Sequence, residues 1–294
     1  MTELDACGES SEVSWHLDST TVDGTLVRPR GPGPFPVVVL VAGSGPTDRD
    51  WNSPLLPGSS GSGRLIAEAL ARAGFVSLRY DKRVVGRHAR ENLQTLIGRV
   101  SMQSHVDELA RAVRSLASQA YLRDGWIFVL ANSEGTLHAL NYQVRSPMIP
   151  FAGIVLIAPP GREVGTVTRS QLAAQAAGVP NGDALLALYD AAIDRFLAGE
   201  PIAPDPSLPQ GVQTLLQNLG SPASLPFARE LWTADAATLL RQVDVPVLVI
   251  IGKKDSQVDW QAHGTPPVDG DASRCCSGRR WQGLAPSPPG TGRR

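Results

Sequence analysis

The sequence predicts an α/β fold, a mostly parallel, doubly wound sheet with a helical insertion. Three observations predict it. Short apolar runs, mostly β-branched, recur at 35–41, 75–81, 125–130, 152–158 and 245–252, bounded by turn residues. Segments of helical spacing separate them, as crossovers between parallel strands require. From 162 to 243 only helical spacing is seen, and then the strand pattern returns.

The 294 residues suit one large domain or two smaller ones, and a hydrophobic content of 42% is ordinary for a globular chain. A net charge of -1 with a pI near 6.5 gives no electrostatic reason to expect nucleic acid or an anionic membrane as partner. Met1-Thr2-Glu3-Leu4-Asp5 is acidic and lacks the apolar core of a secretory signal. No apolar run approaches the ~20 residues of a transmembrane helix. Cys7, Cys275 and Cys276 form neither a disulfide framework nor a zinc spacing. The expectation is a cytoplasmic protein without metal or cofactor. Oligomeric state is not readable.

In chain order, Val13, Trp15 and Leu17 share one face, and Asp23-Gly24 signals a turn before Thr25, Leu26 and Val27, which predicts two antiparallel edge strands over 12–28. Phe35 to Val41 is a strand buried on both faces. Ala42-Gly43-Ser44-Gly45-Pro46-Thr47-Asp48-Arg49-Asp50 ends it, and a Gly/Ser/Pro loop fills 51–63. Leu65, Ala69 and Arg72 have helical spacing, with Gly74 as the stop. Phe75 to Asp81 is the next strand, and 82–100 reads as a basic irregular stretch. Val106, Leu109, Val113 and Leu116 predict an amphipathic helix. Gly125 to Leu130 and Ala152 to Ala158 are strands, and Val245 to Gly252 is the last. The expected organisation is a core over 1–161, a helical insertion over 162–243, a return to the core over 244–262, and a Gly/Pro/Arg-rich tail over 263–294. That tail cannot bury enough apolar surface to offset its chain entropy, so disorder is expected there.

Ala131-Asn132-Ser133-Glu134-Gly135 joins a strand to a helix, with small residues two positions to either side of a serine. That is the pattern of a nucleophile elbow, in which the turn lifts the serine clear of the sheet. The plainer alternative is a serine capping the helix. Right-handed crossovers would bring the loops at 42–50, 131–135 and 252–259 to one edge of the sheet. Gly43-Ser44-Gly45 lacks the third glycine and the acidic residue of a dinucleotide fingerprint.

With these residues in view, the chain resembles an α/β-hydrolase of the serine esterase and peptidase-like branch. The resemblance rests on Gly43 to Asp50, Ala131 to Gly135, and Gly252-Lys253-Lys254-Asp255, and covers about residues 12–260. It implies Ser133 as nucleophile, the backbone N–H groups of Ser44 and Glu134 as oxyanion donors, and Asp255, with Asp259 as second choice, as the acid that orients a histidine. Family elbows usually read G-x-S-x-G; Ala131 and Asn132 are departures. Asp48-Arg49-Asp50 is expected to brace the oxyanion loop through local ion pairs, and Asp81-Lys82-Arg83 to line the same edge. The implied substrate is a small-molecule acyl compound, held under the 162–243 helices as a lid.

The family order of Ser, acid and His leaves a gap. Only His263 follows Asp255, with no helix or strand between. His16, His88 and His105 lie elsewhere, and His138, five residues past Ser133, is expected to face away from the elbow. The composition after about residue 260 reads as a shifted frame or a degenerated C-terminus, which leaves the C-terminal part of the fold incomplete. A catalytically impaired hydrolase-fold protein is therefore the rival reading.

Overall fold

The chain enters the sheet as a hairpin, β1 (Gly8–Leu17) and β2 (Thr20–Pro29), paired antiparallel with Leu17 opposite Thr20. The turn is at Asp18 and Ser19, with Asp18 at φ 53°, rather than at Asp23-Gly24. Those two residues lie inside β2, and the glycine serves packing instead. A Cβ at Gly24 would stand 3.1 Å from the Trp15 ring and 3.0 Å from the Arg79 carbonyl oxygen.

The computed structural model describes residues 8–54, 57–117, 119 and 121–255. Among them seven strands form one sheet, in the order β1-β2-β4-β3-β5-β6-β7. The remaining strands are β3 (Phe35–Val41), β4 (Val76–Tyr80), β5 (Leu122–Asn132), β6 (Gly153–Ile157) and β7 (Val247–Ile250). β2 meets β4 antiparallel, and from β4 to β7 every pairing is parallel. Val37, Val39, Val76 and Val129 are fully buried, as continuous apolar runs in a sheet covered on both faces must be.

Helices α1 (Ser62–Arg72), α2 (Ala89–Leu96), α3 (Met102–Ala117) and α4 (Glu134–Val144) connect the strands up to β6. Helix α1 buries Gly63, Ala67 and Ala71 and leaves Leu65 exposed. Helix α2 lies in the stretch read as irregular. It carries little apolar surface and is held by a side chain: Asn92 Nδ2 donates to the carbonyls of Thr21 and Arg83, and Asn92 Oδ1 accepts from Thr21 N. Between β6 and β7 come α5 (Val164–Ala176), α6 (Gly182–Leu197), α7 (Gln210–Leu219), α8 (Phe227–Trp232) and α9 (Ala236–Leu240). They contain a second apolar cluster around Tyr189, Phe196, Leu216 and Trp232.

The strand order reverses at β3. The chain runs from β3 out to β4, then returns to lay β5 on the other side of β3. Ligand sites in open α/β sheets lie at such a switch point, outside the strand C-termini. The loops after β3 and β5 therefore meet where a site is expected. No helix among the described residues is long and apolar enough to cross a membrane. Asp259, His263 and the 263–294 tail, with the shifted-frame reading, lie outside the described residues.

Candidate active site

At the end of β5, Ser133 takes φ 50° and ψ -121°, and α4 begins at the next residue. A non-glycine residue there stores on the order of 1–3 kcal/mol of strain, so its surroundings must hold it. Ser133 N donates to the Ile157 carbonyl at 2.9 Å. The Ser133 carbonyl accepts from Thr136 N at 3.0 Å and from Thr136 Oγ1 at 2.6 Å. The small neighbours are required by contact. A Cβ on Gly135 would stand 2.5 Å from the Ala42 carbonyl oxygen, and one on Gly43 3.1 Å from Asn132 Nδ2. Ala131 is fully buried.

Ser133 opens on a cavity of about 130 Å³. Ser44, Ser133, Glu134 and Pro160 line it from the strand ends; Val164, Val167, Thr168 and Gln171 of α5 and Leu231 of α8 line it from above. Glu134 opens α4, so its N–H belongs to the free donors of a helix N-terminus. Ser44 and Glu134, the two predicted donors, thus share one cavity with the serine.

Ion pairs pin the loop after β3 to the end of β4. Arg49 N and Nε donate to Asp81, at 2.8 and 3.0 Å, and Arg49 Nη1 to Glu12 at 2.6 Å. Arg79 Nε donates to Asp50 at 2.6 Å. Asp48 Oδ1 accepts from the backbone N–H groups of Asp50 and Asn52. The bracing expected of Asp48-Arg49-Asp50 is present.

A second charge network, buried and joined through Glu134, was not legible as a unit. Lys82 Nζ donates to the Gly43 carbonyl at 2.7 Å and lies 3.5 Å from Glu134 Oε1. Glu134 Oε1 is also 3.2 Å from His138 Nε2. His138 stacks on His105 with ring centroids 4.5 Å apart. His105 Nδ1 is 3.3 Å from Glu108, whose other oxygen accepts from Arg83 Nε at 3.0 Å. Burial opposes ionisation of Glu134, but Lys82 and then His138 outweigh it and hold the carboxyl well below the usual range. Burial likewise opposes ionisation of Glu108, and His105 and Arg83 bring it down to about 2. Burial, with the neighbouring His105, pushes His138 down to about 4. The signals for this network were the i,i+4 spacing of Glu134 and His138, the i,i+3 spacing of His105 and Glu108, and Lys82-Arg83 at a strand end.

Asp255 follows β7, its N–H closing a turn onto the Gly252 carbonyl at 3.0 Å. Because β5, β6 and β7 are parallel, it lies at the same sheet edge as Ser133, two strands away. His16 meets Thr21 Oγ1, His88 lies 3.5 Å from Asp23, and His105 and His138 are taken up in the buried network. Among the described residues no histidine is hydrogen-bonded to Ser133, and no group of three or more His, Cys, Asp or Glu is placed to hold a metal ion.

The architecture matches solved structures. An esterase of Pyrococcus furiosus superposes with a TM-score of 0.52 at 16% identity, covering 89% of this chain and 76% of that one. The α/β-hydrolase GrgF of Penicillium sp. sh18 gives 0.51 at 16% identity, covering 86% of this chain and 93% of that one. The chain folds as an α/β-hydrolase. Among curated proteins, the chain is 30% identical over 237 residues to the esterase EstD of Thermotoga maritima, a match covering 80% of the chain. The chain spans about half the length of that relative. No protein-family model matches it.

Proposed function

We propose that the protein is a serine hydrolase that cleaves an ester or other acyl bond of a small molecule through an acyl-enzyme on Ser133. The observation that carries the reading is the strained Ser133, set in one cavity with Ser44 and Glu134. In this mechanism Ser133 Oγ attacks the acyl carbon and its proton passes to a general base. The negative charge on the former carbonyl oxygen is met by the N–H groups of Ser44 and Glu134, each worth on the order of 10²–10³-fold in rate. Collapse expels the alcohol, which takes the proton, and water releases the acid by the same path. Asp255 is the acid that would orient the base, and the 162–243 helices are the lid over the acyl group. Similarity to esterase EstD supports an ester as substrate.

The described histidines favour keeping one rival, a hydrolase-fold protein that only binds ligands, because none of the four reaches Ser133. Labelling with a fluorophosphonate probe separates the two. Wild type is expected to label and Ser133→Ala not to label. Equal labelling of both would remove Ser133 from the role, and an unlabelled wild type would favour the impaired protein.

A further inference from the structure

We propose that Lys82 is a positioning residue that fixes the peptide between Gly43 and Ser44 and thereby aims the Ser44 N–H at the oxyanion; this rests on the reading of Ser133 as nucleophile. The geometry is simple. Among the described residues the cis bonds are Gly33–Pro34 and Leu225–Pro226, so the 43–44 peptide is trans. In a planar trans peptide the C=O of one residue and the N–H of the next point in opposite directions. Lys82 Nζ holds the Gly43 carbonyl at 2.7 Å. The Ser44 N–H is therefore turned away from Lys82, and Ser44 lines the cavity together with Ser133.

The peptide needs such a clamp. Gly43 is a glycine because a side chain would press on Asn132 and Ser133, and a glycine lets the adjoining peptide rotate at little cost. If that peptide turned over, it would present a carbonyl oxygen to the developing negative charge. Lys82 is suited to prevent this. It is buried, it is charged, and its ammonium has three donors and no acceptor. It also joins the two donors: it binds the carbonyl ahead of Ser44 and pairs with the carboxylate of Glu134, whose own N–H is the other donor. One side chain at the end of β4 thus sets the spacing between loops that follow β3 and β5.

The test uses the full chain with Lys82→Met, and with Lys82→Met/Glu134→Gln, which leaves no lone buried carboxylate should the single variant fail to fold. Hydrolysis of p-nitrophenyl butyrate is expected to lose about 10²-fold in kcat with KM within about threefold. Affinity for a trifluoromethyl ketone, which forms an oxyanion on binding, should fall in proportion. A crystal structure of the double variant should show the 43–44 peptide turned over. Unchanged kcat in a folded variant overturns the proposal. So does a lost rate with the peptide unmoved, since Lys82 would then act by charge alone. If wild type neither turns over nor reacts with a fluorophosphonate, the nucleophile reading fails, while the peptide orientation still decides whether Lys82 holds it.

Discussion

The sheet is built differently on the two sides of Ser133. Towards β3 and β4, residues Val37 to Val41 and Val76 to Tyr80 are all buried, and the strand ends are tied across by Arg49–Asp81, Arg79–Asp50 and Lys82–Glu134. Towards β7, burial alternates between half-buried and exposed, with Leu248 at 50% and Ile250 at 45% exposure. The proposed nucleophile and oxyanion donors stand on the first kind of ground, and the proposed acid Asp255 on the second. The serine's strain is therefore borne by a close-packed interior, whereas the acid's place depends on a strand that among the described residues pairs with β6 alone.

The largest effect should come from the interior side. Leu137, in the first turns of α4, is fully buried in the main core. Leu137→Ala removes its side chain and leaves a cavity, at a cost of about 2–5 kcal/mol. Urea unfolding measures it, and a loss below about 1 kcal/mol would mean α4 is not held as the contrast requires.

Next comes pH. His138 has its folded pKa lowered to about 4 from an ordinary 6.5. Above pH 6.5 the ring is neutral whether folded or unfolded, so the full stability is present. As pH falls from 6.5 towards 4, the unfolded chain takes up a proton that the folded protein refuses, and up to about 3 kcal/mol is lost. Glu108 continues the loss from about pH 4.5 down to about 2, and the lowered Glu134 acts in the same direction. Urea midpoints should therefore fall between pH 7 and 4, and His138→Phe should flatten the portion above pH 4.5. A flat wild-type profile would remove the buried network from the account of this side.

These differences explain what could be read in advance. The strands were legible because runs such as Val37 to Val41 and Ile127 to Leu130 are apolar without interruption. The strand–turn–helix around Ser133 was legible because the junction keeps small residues at Ala131, which is fully buried, and at Gly135, where a Cβ would meet the Ala42 carbonyl. The hairpin turn was misplaced because Gly24 looks like a turn glycine but answers to the Trp15 ring. Helix α2 was missed because Asn92 holds it through polar bonds that carry no period. The Lys82-to-Arg83 network was missed because its members lie on β4's end, α3 and α4, so no sequence window contains it. His138, expected to face away from the 131–135 turn, instead meets Glu134, and its stacking on His105 could be known only once α3 lay beside α4.

The smallest effect should come from β7, and it is the one that most directly tests the contrast. Leu248 and Ile250 face outward from the last described strand, half in water. An apolar side chain already half-exposed gains only part of the roughly 1.5–3 kcal/mol that full burial would give. Leu248→Lys keeps the aliphatic stem along the strand and puts the charge in water. Its cost should stay within about 0.5 kcal/mol, as for an ordinary surface substitution. If urea unfolding instead gives a loss comparable to that of Leu137→Ala, β7 is covered in solution, and the ground under Asp255 is as firm as that under Ser133.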